Sequence, residues 1–181
     1  SMAQRVTLAQ SQLQLAQTNP QLHNLHAAYR RMYEALGVEN IEEVLPPPPQ
    51  PQPTDPAVEN ARALGGSLLQ AFPEQKHEIH IQMHVAFMKT PLVSTSPQVM
   101  GTLYAHLLEH VSLMAREQVV TQIEGLIAQL EVQAQSGQIP MQEAQMRIQE
   151  VRTQMQDPNE LEKAVSMEAL AIQQKLLEEM L

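Results

Sequence analysis

The run from Gln98 to about Gln135 constrains this chain more than any other stretch. It contains no proline after Pro97 and only two glycines, Gly101 and Gly125, both tolerable inside a long helix at some cost. At about 1.5 Å per residue the run would be a rod on the order of 55 Å, longer than a small globular domain is wide. Such a rod needs a partner. Ser136-Gly137 turns the chain and Pro140 reopens a helix in which Met141, Ala144, Ile148, Val151 and Met155 step by three and four residues. Val119, Ile123, Leu126 and Leu130 step likewise on the preceding arm, so residues 97–135 and 140–156 are expected to close as an antiparallel coiled-coil hairpin.

The rest of the chain reads as helices punctuated by a recurring start signal. Asn19-Pro20, Asp55-Pro56, Ser96-Pro97 and Asp157-Pro158 each place a capping side chain before a first-turn proline. Glu160 adds a capping-box acid to the last of these. The expected helices are 3–18, Gln21–Leu36, a short turn within Val38–Leu45, one from Asp55-Pro56 through Leu69 with a kink or break at Gly65-Gly66, Glu74–Lys89, the hairpin, and a final helix carrying Leu161, Val165, Ile172, Leu176 and Met180. Leu92–Thr95 reads as a connector, and nothing reads as a strand. The predicted class is all-α, with about seven helical segments.

PPPPQPQPTDP, Pro46–Pro56, cannot hold a helix and should be extended and stiff. It divides the chain into an N-terminal helical segment (1–45), a linker (46–56) serving as spacer or as ligand for a proline-binding module, and a helical domain (57–181). Ser1-Met2 resembles a cloning scar and suggests a piece excised from a longer protein.

Composition limits the function. Aromatics are 3% of the residues, Trp is absent and Met numbers 11, which favours long helices packed through aliphatic and thioether side chains over an aromatic-walled catalytic pocket. A formal charge of -9 opposes a surface that grips phosphates, and Arg30-Arg31 is the sole basic pair. Without cysteine there is no disulfide, thiolate ligand or Cys nucleophile, and a reducing compartment is the default. No run approaches the roughly 18 apolar residues of a membrane span. No serine sits in a nucleophile elbow, and no glycine-rich loop precedes a lysine to cradle phosphates.

Five of the seven histidines fall between Ala71 and His110. His77, His80 and His84 are spaced i, i+3, i+7, and His106 and His110 i, i+4, so each set forms one stripe on a helix. Ile79, Met83 and Phe87 form a neighbouring apolar stripe. Facing histidine stripes make either a metal site or a packing seam. The candidate ligands are His77, His80, His84, His106, Glu109 and His110, with Glu78 as a further carboxylate. His106-Leu107-Leu108-Glu109-His110 also matches the H-x-x-E-H signature of inverted zinc peptidases. That chemistry needs a third protein ligand and a walled cleft, and neither is evident in the arm that follows. The expectation is therefore a seam of His80, His84, Phe87, His106 and His110, within or between subunits, with no cofactor and no enzymatic activity; a metal-binding bundle or zinc hydrolase is the alternative.

Two groups of segments carry a resemblance. One is His26–Pro46 (HAAYRRMYEALGVENIEEVLP) with the proline joint and Asp55–Leu64 (DPAVENARAL). The other is Leu68–Pro91 (LLQAFPEQKHEIHIQMHVAFMKTP) followed by Ser96–Arg116 (SPQVMGTLYAHLLEHVSLMAR). Together, over roughly residues 15 to 117, they resemble the C-terminal part of the portal protein of tailed bacteriophages, in the form carried by large marine and T4-like phages. The resemblance implies a structural protein of the virion that forms a homo-oligomeric ring at one capsid vertex. DNA passes through such a ring without sequence-specific binding, and the terminase motor and head-completion proteins dock on it. It further implies residence in the cytoplasm of the infected host during assembly.

Overall fold

The computed structural model describes residues 1–181 and is helical throughout, without a strand. Nine α-helices follow one another: α1 (Met2–Thr18), α2 (Leu25–Ala35), α3 (Ile41–Val44), α4 (Pro56–Leu64), α5 (His77–Met88), α6 (Pro91–Ser94), α7 (Pro97–Gln135), α8 (Met141–Gln156) and α9 (Pro158–Met180). The chain divides into two compact units, Ser1–Pro51 and Gln52–Leu181, so the division falls within the proline run. No helix is long and apolar enough to cross a membrane.

In the first unit α1 lies against α2, and the buried apolar side chains are Ala9, Ala16 and Ile41. The second helix starts later than its sequence suggests. Asn19 makes no capping bond and Pro20–Leu22 forms one 3₁₀ turn; the cap is Asn24, whose side chain accepts the Ala27 N–H at 3.0 Å. Gly37 (φ 72°) stops α2 in the left-handed region that glycine enters without steric cost. Arg30 bridges Glu34 and Glu42 at 3.2 and 3.0 Å, and His26 donates to the Pro46 carbonyl at 3.0 Å.

The second unit is organised around α7, against which α4, α5, α6, α8 and α9 pack. Leu103, Leu107 and Val111 line one stripe of α7 and form the main core with Ala63, Ile81, Val85, Met88 and Val93. Further along, Ala115 and Val119 pack against Val165 of α9, with Ile123 and Leu161 beside them. The hairpin partnership is thus divided. The distal part of α7 meets α8 through Leu130, Ala144 and Ile148, whereas Val119 is covered by α9, and Leu126 and Met141 stay largely exposed. Arg116 pairs with Glu162 across α7 and α9.

Other boundaries depart from expectation for local reasons. Helix α4 ends at Leu64 instead of Leu69 because Gly65 caps it and Gly66 takes φ 81°. Helix α5 begins at His77, not Glu74: Phe72–Gln75 is a turn in which the Gln75 side chain accepts the Phe72 N–H (2.8 Å) and donates to the Thr54 carbonyl (3.2 Å). The expected connector holds a helical turn, α6, because Pro91 starts it and Val93 drops fully into the core. On α5 the expected apolar stripe faces outward: Ile79 and Met83 are exposed and Phe87 is half-buried, while the buried face carries His77, His80, Ile81, His84, Val85 and Met88.

Candidate metal centre

Three helices bring the histidines together. On α5, spacings of three and four residues align His77, His80 and His84; on α7, His106 and His110 lie one turn apart beside the Leu103–Leu107–Val111 stripe. Helix α4 supplies what neither stripe contains, a buried carboxylate. Asp55 caps α4 by accepting the Ala57 N–H at 2.8 Å, Pro56 presets its first turn, and the buried face then repeats as Pro56, Glu59, Asn60 and Ala63. Glu59 therefore points into the bundle and is 2% exposed.

The five groups Glu59, His80, His84, His106 and His110 each offer one ligand atom, and these atoms all lie within 4.8 Å of one another. His80 Nδ1 stands 2.9 Å from Glu59 Oε1, His84 Nε2 stands 3.7 Å from Glu59 Oε2, and His106 Nε2 is in close contact with Glu59 Oε2. His110 Nε2 is 3.1 Å from His106 Nε2, and the His80 and His110 rings approach to 4.6 Å between centroids.

Hydrogen bonding outside the cluster fixes which nitrogens carry lone pairs. His77 Nε2 faces two acceptors, the Pro73 carbonyl (3.1 Å) and Glu117 Oε1 (3.2 Å), so it holds the proton. Its Nδ1 then accepts from His110 Nδ1–H at 2.8 Å, which leaves the His110 Nε2 lone pair aimed inward. His84 Nδ1–H likewise donates to Asn60 Oδ1 at 2.7 Å, leaving the Nε2 lone pair facing Glu59. Both Glu59 oxygens, His80 Nδ1 and His84 Nε2 are buried without a hydrogen bond of proper geometry. Lone pairs that converge in this way repel one another unless a positive centre lies among them.

The ionisation state suits ligation. Burial pushes His84 down to about 4, with His106 adding to the shift and Glu59 opposing it. Burial pushes His110 down to about 2, reinforced by His106, His80, His77 and His84. His80 is also lowered, by burial against the pull of Glu59. At neutral pH these imidazoles are neutral, which is the ligating form.

Of the residues singled out from sequence, His80, His84, His106 and His110 meet in the cluster, and His77 stands one hydrogen bond outside it. Glu109 does not join them. Its side chain is 43% exposed, lies 3.7 Å from His106 Nδ1 and accepts the Ala71 N–H at 3.2 Å. The HLLEH pentapeptide thus contributes two members of the cluster, while its glutamate stays outside it, on the Nδ1 side of His106. Glu78 lines clefts on the surface. Phe87 is half-buried and packs against the apolar core. Glu59 and Asn60 escaped the sequence reading, although both fall on the i, i+3, i+4, i+7 stripe set by Pro56 and Ala63.

The donor set, four imidazole nitrogens and one carboxylate, suits zinc or a neighbouring first-row divalent ion and is too rich in nitrogen for magnesium or calcium. Bonds of about 2.0–2.2 Å place opposite ligands roughly 4 Å apart, so small side-chain adjustments would bring the five atoms onto one ion. Comparison of the chain with protein-family models, with curated proteins and with solved structures finds no match.

Proposed function

We propose that the chain is a helical structural module whose second unit is pinned by a buried first-row transition-metal ion, most simply zinc(II), and that it acts through assembly, not catalysis. The observation that carries this is the convergence of five buried donors, two of which, His84 and His110, are held by outer hydrogen bonds that turn a lone pair inward. Zinc sites that hydrolyse substrates keep a coordination position open to water, whereas structural sites are closed. Here the five donors are between 0% and 6% exposed, and Glu109, the base a peptidase would need, faces elsewhere. The ion would join α4, α5 and α7, so its binding energy would be folding energy. Elemental analysis of protein purified without a metal-affinity tag tests the proposal. About one zinc-class ion per chain is expected, and metal-free protein that takes up none on titration would overturn it.

The larger assembly is proposed to be a ring of the portal type. Support comes from the resemblance over residues 15 to 117, from the charge of -9, which lets DNA pass without adhering, and from apolar side chains left uncovered on the long helices, such as Val132, Met146, Met167 and Leu170. Isolated exposed apolar residues are ordinary, but several spread over α7, α8 and α9 favour neighbours. Native mass spectrometry of the chain tests this: a ring-sized homo-oligomer is expected, and a strict monomer at high concentration would contradict it.

A further inference from the structure

Outside the five donors, one buried side chain makes bonds that packing alone does not call for. His77 is 3% exposed, lies at the start of α5 and meets the cluster at His110, with Nδ1 2.8 Å from His110 Nδ1 and the ring centroids 5.1 Å apart. Its other nitrogen is held from two directions by the Pro73 carbonyl and by Glu117 of α7. Both of those partners accept only. The proton on His77 is thereby placed on Nε2, the His77 Nδ1 lone pair is placed opposite His110, and His110 is restricted to the tautomer that carries hydrogen on Nδ1. Only that tautomer presents Nε2 to the ion.

We infer that His77, oriented by Glu117 and the Pro73 carbonyl, is the outer-sphere residue that selects the ligating tautomer of His110. The inference rests on the metal-centre proposal and names the part of the chain that tunes that centre. Glu117 and His77 both line a surface cleft of about 740 Å³. Asn60 performs the corresponding task for His84, but from within the wall of the bundle. His77 is therefore a positioning residue and not a ligand, although sequence spacing alone groups it with His80 and His84.

Two substitutions separate orientation from packing. His77→Asn keeps an acceptor where Nδ1 stands but discards the ring; His77→Phe keeps the ring and discards the acceptor. Cobalt(II) titrated into the chain, followed by visible absorption and competed with zinc, reports affinity. Loss of an outer-sphere partner costs roughly 10–100-fold in metal affinity, so His77→Phe should weaken binding by that factor, with His77→Asn within a few-fold of the unsubstituted chain. The reverse order, with Phe tolerated and Asn not, would show that ring volume is what matters and would overturn the inference while leaving the metal centre intact. A second readout needs no metal and no variant. Long-range ¹H–¹⁵N spectra of the metal-free chain should show His110 protonated on Nδ1 and His77 on Nε2, and His110 protonated on Nε2 would overturn the inference. If the unsubstituted chain binds no cobalt while the spectra show the expected tautomers, the metal centre fails and the orienting role of His77 stands.

Discussion

Replacing Glu59 by Gln changes the cluster by one charge and almost no volume, and its sign depends on what lies among the histidines. Glu59 is 2% exposed, and neither of its oxygens has a hydrogen bond of proper geometry. Without an ion, removing the charge lowers the cost of burying the group, offset by whatever attraction the neighbouring imidazoles provide, while the amide still occupies the same polar position. Metal-free Glu59→Gln should therefore be as stable as the parent or slightly more so. With zinc the anionic ligand is lost, and a 100-fold weaker affinity removes about 2.7 kcal/mol of ligand-linked stability. At about 4 °C per kcal/mol for a domain of this size, the zinc-induced rise in melting temperature should shrink by roughly 10 °C. Thermal melts in zinc and in chelator, on both proteins, supply the four numbers. A purely proteinaceous seam, with Glu59 paired to a charged His106, predicts otherwise: the substitution would strand a buried charge and cost about 3–5 kcal/mol with or without zinc. Equal destabilisation in both media, with no zinc shift in the parent, would refute the reasoning.

Three further outcomes are expected. Leu103→Ala, at a fully buried position of α7, should cost about 2–5 kcal/mol in chemical denaturation of the second unit, since the surrounding helices cannot collapse onto the space. Asp55→Ala should remove the α4 cap, lower stability by about 1 kcal/mol and weaken metal binding, because α4 carries Glu59; calorimetric titration reads both effects. Stability should also fall in acid. His84 and His110 are held at about 4 and about 2 in the folded chain, below the ordinary 6.5, so their contribution is fully present above about pH 6.5. As pH drops below that value the unfolded chain binds the extra protons, and stability declines by up to about 2.7 kcal/mol per pH unit for the two groups down to about pH 4. Below pH 4 His110 alone contributes, and the slope halves to about 1.4 kcal/mol per pH unit. A denaturation midpoint that is flat from pH 7 to pH 5 would contradict this.

The all-helical class and the long helix were legible because local signals agree with the global fold. Proline and its preceding cap mark α4, α7 and α9, and no glycine or proline interrupts Gln98–Gln135 strongly enough to break it. Histidine spacing revealed four of the five donors for the same reason, since one helical period fixes which residues share a face. What spacing cannot give is the partner across the bundle. Val119 shares the step of the hairpin arm expected to meet α8, yet α9 covers it, through tertiary packing around Val165. Glu59 was hidden because a carboxylate on a short helix ordinarily faces water, and its burial follows only from where Ala63 packs. The outward turn of Ile79 and Met83 has the same origin: α5 buries its polar histidine stripe beside Ile81, Val85 and Met88, which reverses the usual rule for an amphipathic helix.

Anomalous diffraction at the zinc absorption edge, from crystals grown in stoichiometric zinc, tests the central claim most directly. A single strong peak within about 2.2 Å of Glu59 Oε2, His84 Nε2, His106 Nε2 and His110 Nε2, with His80 Nδ1 completing the set, is the predicted result. Anomalous density confined to surface side chains, with water or nothing among the five donors, would contradict it.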